Sequence, residues 1–168
     1  MDREARKILK NRLLQEMEGY FQNDIKRINH AKKVTEFAEE INKEADSDYE
    51  VVIGAAVLHD IGIHMAEKKY KSSSGRYQEK EGPPIARNIL KKLGIGEDVI
   101  EEVCDIIGHH HSPGPQETAN FKVLNDADWL VNIEEEVRTK DKDRLRKIIE
   151  KVFFTEPGKR KAYELYIE

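Results

Sequence analysis

The run VVIGAAVL, residues 51–58, stops abruptly at His59 and Asp60. Eight apolar residues with no polar face have to be covered on every side, so the flanking elements must build a core around them. Gly54, Ala55 and Ala56 are poor strand residues, which favours a short buried helix over a strand. Ser47 or Asp48 would cap that helix and Gly62 would stop it. The run falls well short of the roughly 20 apolar residues needed to cross a bilayer, and no membrane association is expected. An imidazole and a carboxylate are therefore delivered to the end of a core element.

The rest of the chain supplies helices to surround it. Ile8, Leu9, Leu13, Met17, Tyr20 and Phe21 recur at three- and four-residue intervals, the stripe of an amphipathic helix. A second helix is capped by Asn23 or Asp24. Its stripe runs from Ile25 through Ile28, Ala31, Val34, Phe37, Ala38 and Ile41 to about residue 42, with His30 close beside it. Residues 66–81, AEKKYKSSSGRYQEKE, show no sustained apolar period and read as a long loop. Pro83 and Pro84 read as the opening of the next helix, which stops at Gly94. Val99, Ile100, Val103, Ile106 and Ile107 then form a stripe that runs into His109, His110 and His111, and SPGP ends it. Further helices are expected at 119–135, at 141–153 and after Pro157. With no repeat, low-complexity tract or linker, residues 1–168 read as a single all-α domain, a helical bundle. The C-terminal helices at 141–168 are expected to pack on the rest.

Composition narrows the partners. The chain has 168 residues and is 38% hydrophobic, enough for one sizeable core. Charged residues make up 37% and the net charge is −4, without the basic excess of a protein dedicated to a nucleic-acid polymer. Cys104, the one cysteine, has no partner for an internal disulfide, and MDREARKILK lacks the apolar centre of a signal peptide. The expected compartment is the cytoplasm.

Five of the six histidines fall into two clusters, each at or just beyond the C-terminal end of a buried helix, and His30 is the sixth. A lone core histidine is usually just hydrogen-bonded, and a lone His-Asp dipeptide is common by chance. Several imidazoles and carboxylates in one core are costly unless something pairs them, and a divalent cation does so at about 2 Å. The segment VLNDADWLVNI adds Asp128, beside Ala127 on the apolar side, with Asp126 as its competitor. Either aspartate alone reads as a cap or a solvated group. Joined to His30, His59 and Asp60, one of them would complete a His-His-Asp-Asp set drawn from three helices.

The order of His30, then HD at 59 and 60 within AAVLHDIG, then the aspartate of DADWL, resembles the HD superfamily of metal-dependent phosphohydrolases. INHAKKVTEFAEEI, EGPPIARNILKKLGI and VCDIIGHHH extend the likeness over about 20–135. The resemblance implies an HD-type bundle with His30, His59, Asp60 and Asp128 as ligands of a divalent metal ion, and it favours Asp128 over Asp126. Some HD families add a second metal or a phosphate contact through a histidine in the central loop and a His-His pair after the next helix. Here GHHH would supply that pair as His109 and His110, with His110 the more inward by its stripe. The central histidine is missing, and Glu79 and Glu81 stand in its place as candidate ligands. The lysine that some families carry three residues after the dyad aspartate is Ile63 here, which weakens transfer of their cyclic dinucleotide chemistry.

The ligand set implies hydrolysis. Two carboxylates offset the dication's charge while neutral imidazoles leave it electrophilic, so a bound water can ionise near neutral pH instead of near about 15.7. Mixed nitrogen and oxygen ligation suits Mn²⁺, Fe²⁺, Co²⁺, Ni²⁺ or Mg²⁺, as one ion or two. Asp60, His109 and His110 are the expected catalytic residues. Lys71 and Arg76, beside SSSG, together with His110, are the expected contacts to a small phosphorylated substrate such as a nucleotide or related phosphomonoester. The alternative is a module that binds metal and nucleotide without turnover. A homodimer is compatible with either reading.

Overall fold

The computed structural model describes residues 1–168 and is all-α, with no strand. Its helices are α1 (Arg3–Phe21), α2 (Ile25–Asn42), α3 (Tyr49–Leu58), α4 (Ile63–Tyr70), α5 (Gly75–Lys92), α6 (Glu97–His109), α7 (Ala119–Glu136), α8 (Lys142–Val152) and α9 (Glu156–Tyr166). The apolar run becomes α3, buried at every residue from Tyr49 to Leu58 except Glu50. It packs against α1, α2, α6 and α7 and touches α5, so the helix with no polar face is the one that others wrap. Burying each Val, Ile or Leu of α3 contributes roughly 1.5–3 kcal/mol, and this outweighs the helix propensity lost at its β-branched residues and glycine.

Side-chain caps fix where the site-bearing helices begin. Asp24 accepts from the Arg27 amide at the start of α2, Asp48 from Glu50 at α3, and Thr118 from Phe121 at α7. α3 ends at Leu58, and the chain turns through residues 59–62, closed by Ile61 N donating to the Leu58 carbonyl and Ile63 N to that of Asp60. Gly62 differs from its expected role. It opens α4 instead of stopping α3, and it is a glycine because α5 crosses it there: a Cβ at residue 62 would lie 2.5 Å from the Gly82 nitrogen. A Cβ on Gly82 would in turn meet Ile107 at 2.8 Å. This stack draws the 59–62 turn, α5 and the end of α6 together.

The long loop expected at 66–81 is helical on both sides of a short connection, residues 71–74, where Lys71 takes a left-handed conformation (φ 57°). Hydropathy concealed α5 because its inward face begins with Gln78, Glu81 and Gly82 before it reaches Ala86, Ile89 and Leu90. Pro83 and Pro84 lie inside that helix and do not open it. They remove two amide donors, a defect costing about 3 kcal/mol or more in an unsupported helix, and packing against α4 and α6 holds the segment in place. The rings of Tyr70 and Tyr77 stack 4.1 Å apart and join the two helices.

The segment Tyr49–Tyr70 is apolar and long enough by composition to cross a membrane, but it is two helices broken by the 59–62 turn, and 78% of its most apolar window is buried.

Candidate metal centre

Three elements meet at the open end of the core. α2 carries His30, the turn after α3 carries His59 and Asp60, and α7 carries Asp128. His30 Nε2 and His59 Nε2 lie 3.2 Å apart. Asp128 Oδ1 lies 3.1 Å from the first and 3.2 Å from the second, and Asp60 Oδ2 lies 3.4 and 3.3 Å from them. Each imidazole Nε2 thus lies within 3.4 Å of an oxygen of both carboxylates, the ligand atoms of His30, His59 and Asp60 lie within 4.8 Å of one another, and the His59 side chain is wholly buried.

The other ring nitrogens fix the tautomers. His59 Nδ1 donates to the Ala56 carbonyl at 2.8 Å, and His30 Nδ1 donates to Glu135 Oε2 at 3.1 Å. With both Nδ1 protons committed, both Nε2 atoms present lone pairs to each other and to two carboxylate oxygens. Such a constellation repels itself unless a positive charge sits within it. Protons supply that charge when no ion is bound. Burial alone would disfavour a proton on His59 or His30, but Asp128 and Asp60 outweigh it, and His59 is held well above the usual imidazole range. Burial likewise pushes Asp60 and Asp128 up. The facing imidazoles win, holding Asp60 well below the usual carboxylate range and Asp128 below it too. A divalent cation replaces those protons with one charge of fixed geometry, so the residues fit the ion.

A second group continues from Asp60. His110 Nδ1 donates to the Ile107 carbonyl at 2.8 Å, leaving Nε2 buried without a hydrogen bond and 3.4 Å from Asp60 Oδ1. A ring nitrogen of His111 lies within 4.8 Å of both. His111 Nε2 bonds Gln78 Oε1 at 3.1 Å, and its ring fills the space a side chain at Gly75 would need.

A family model, HD domain, matches residues 27–133. The chain belongs to the HD domain family. Among solved structures it is similar to a protein from an uncultured Thermotogales bacterium described as a "predicted HD superfamily hydrolase", with 27% identity, a TM-score of 0.68, and coverage of 92% of this chain and 83% of that one. No curated protein matches it. Membership of the HD superfamily makes this a chain of the metal-dependent hydrolase class, and its His/Asp cluster has the composition to hold a metal.

Against that frame several expected site residues stand elsewhere. His109 does not join the cluster: it donates through Nδ1 to the Asp105 carbonyl and through Nε2 to Glu117, so no lone pair remains. Burial opposes its proton, but the Glu117 hydrogen bond prevails and raises its pKa. The histidine pair at the site is His110 and His111, because the chain leaves the helix after His109 and swings His111 back toward Asp60. Glu79 accepts from His111 N and Ser112 Oγ, and Glu81 from Lys69 and Tyr70, so neither carboxylate reaches the metal centre. Lys71 caps α4 in solvent, and Arg76 lies over the ring of its neighbour Tyr77. The cations that line the cavity of about 430 Å³ beside the cluster are Lys26 and Arg27.

Asp126 proves to be an anchor. Buried on the opposite side of α7, it accepts from Phe154 N, Thr155 N and Thr155 Oγ1 at 2.9, 2.7 and 2.6 Å, tying the α8–α9 connection to the core. Glu135 was missed by the sequence reading, although its position seven residues after Asp128 puts it on the same helix face. His111 carried no hydropathy signal at all.

Proposed function

We propose that this HD protein is a metal-dependent phosphohydrolase acting on the phosphate ester of a small molecule, a nucleotide or related phosphomonoester. The observation that carries this reading is that two imidazole Nε2 atoms, their tautomers already fixed for a cation, each lie within 3.4 Å of an oxygen of Asp60 and of Asp128. When bound, a Mn²⁺, Fe²⁺, Co²⁺, Ni²⁺ or Mg²⁺ ion supplies a Lewis acid for the phosphoryl group and an acidified water as nucleophile. His30, His59, Asp60 and Asp128 hold it. Asp60 offers its second oxygen to the side of His110 and His111, which take a phosphoryl oxygen there or help hold a second ion. Lys26 and Arg27 draw the anionic ester into the cavity. Attack forms one phosphorus–oxygen bond and breaks the ester bond, releasing an alcohol and phosphate. We assign the activity to the cytoplasm, where a single buried thiol such as Cys104 stays reduced.

The test is metal content of the purified protein together with phosphate release from a panel of nucleotides and phosphomonoesters after loading with each candidate ion. One or two ions per chain with metal-dependent release is the expected result. Bound metal with no release across the panel would favour a binding module, and no metal under any loading would overturn the ligand set. His110→Ala should impair turnover more than thermal stability, and unchanged kinetics would remove His110 from the site.

A further inference from the structure

The cavity lined by Lys26 and Arg27 meets a second one, of about 400 Å³, on the other side of Trp129. The two share His111, Asp128, Trp129 and Asn132, so they are the two arms of one cleft over the metal centre. Their chemistry differs. The first arm carries Lys26, Arg27, Glu135 and Glu136, a charged surface with little flat apolar area. The second adds Phe154, Val152 and Lys151 to Trp129 and ends against His110.

Two aromatic side chains line this arm and keep part of their surface uncovered, Trp129 while packing on the core with the rest of its ring. Trp129, the only tryptophan, follows Asp128 directly and is half-buried. Phe154 is 44% exposed although it lies next to the most tightly anchored connection in the chain, where Asp126 grips the backbone of residues 154 and 155. The anchor holds Phe154 at the cleft with its ring uncovered. Lys151 joins no ion pair, since the neighbouring Glu150 is engaged by Lys159 and Tyr163. Asn132, one turn beyond Trp129, presents an amide to both arms.

From this juxtaposition we infer that the second arm is a nucleobase subsite: Trp129 and Phe154 hold the planar base of a nucleoside monophosphate whose phosphate reaches the ion that Asp60 and Asp128 would hold, beside His110. A base has two flat apolar faces and a polar edge, which matches exposed rings beside an amide and a lone cation. Lys151 adds to Lys26 and Arg27 in attracting the phosphate dianion, without regard to the base, and Asn132 hydrogen-bonds the base edge. The inference rests on the phosphohydrolase reading and narrows its substrate to esters that carry a base.

Because the chain has a single tryptophan, its fluorescence reports this subsite directly. Adenosine 5′-monophosphate and ribose 5-phosphate are titrated against the full chain loaded with Ca²⁺, and then hydrolysed by the Mn²⁺-loaded chain. The nucleotide should quench Trp129 saturably where the sugar phosphate does not. The ratio of kcat/KM for nucleotide over sugar phosphate should fall about tenfold in Phe154→Ala and in Trp129→Leu, while Lys151→Ala lowers both substrates alike. Phe154→Ala guards against a Trp129 variant that disturbs its neighbour Asp128. Equal fluorescence responses, or a ratio unchanged in both aromatic variants, would overturn the subsite even if phosphate release continued. Nucleotide-specific quenching with no release from any ester would leave the subsite standing and defeat the hydrolase reading instead.

Discussion

Asp126 and Asp128 lie two residues apart on α7, both buried, and they live in opposite chemical surroundings. One face of the helix gives Asp126 only donors: two backbone amides, a hydroxyl and the Asn125 amide. The other gives Asp128 two imidazole nitrogens with lone pairs and a second carboxylate. A carboxylate among donors is satisfied by the protein alone. One among acceptors needs a cation, and that difference separates an anchor from a ligand more surely than burial or sequence position.

The strongest way to break this comparison is to remove each carboxylate in turn. Asp128→Ala and Asp60→Ala should lose metal and turnover together, to background, and full activity in either would end the ligand assignment. Asp126→Ala should keep its metal but lose about 3 kcal/mol of stability in denaturant unfolding, because several buried donors are left without an acceptor. An Asp126 variant that lost metal at full stability would reverse the two roles. A finer probe is Glu135→Ala. It frees His30 Nδ1 and should weaken metal affinity about 10- to 100-fold by competitive chelation, with little change in the fold.

The smallest effect is one of pH. In the metal-free protein, His30 and His59 have raised pKa values, so their contribution is complete below about 6.5 and is lost as pH rises through the folded-state values. Asp60 and Asp128 are depressed, so theirs is present above about 3.9 and is lost as pH falls through their folded-state values. The metal-free chain is therefore best supported between those limits. Metal must displace the imidazole protons, so its increment in Tm should be larger at about pH 8 than at about pH 6, by a few degrees. A larger increment at the lower pH would argue against imidazole ligation.

Much of this was legible before any coordinates. The α3 run, the α2 stripe with His30 beside it, and the α6 stripe leading to His110 all follow from apolar spacing, since the candidate ligands sit on or beside stripes that must face the core. Where the core-facing residues are polar, spacing is silent. Gln78, Glu81 and Gly82 hid the first turns of α5, and a glycine that admits a crossing helix looked like one that ends a helix. Three histidines in a row give no hint of which way each turns once the helix stops. Here His109 meets Glu117, His110 meets Asp60 and His111 meets Gln78, a choice made by neighbours distant in sequence. The cations Lys71 and Arg76 drew attention by density, whereas position on the cleft selects Lys26 and Arg27.

His30 and Asp128 touch across 98 positions of sequence. Closing a loop of that length carries an entropic cost, so the unfolded chain has no chelating site to offer, and every increment of metal affinity is also an increment of folding stability. At a free ion concentration 100-fold above Kd the gain is about 2.7 kcal/mol. If the site holds its ion in the cell, starvation for metal would raise the unfolded fraction about 100-fold as well as end the activity.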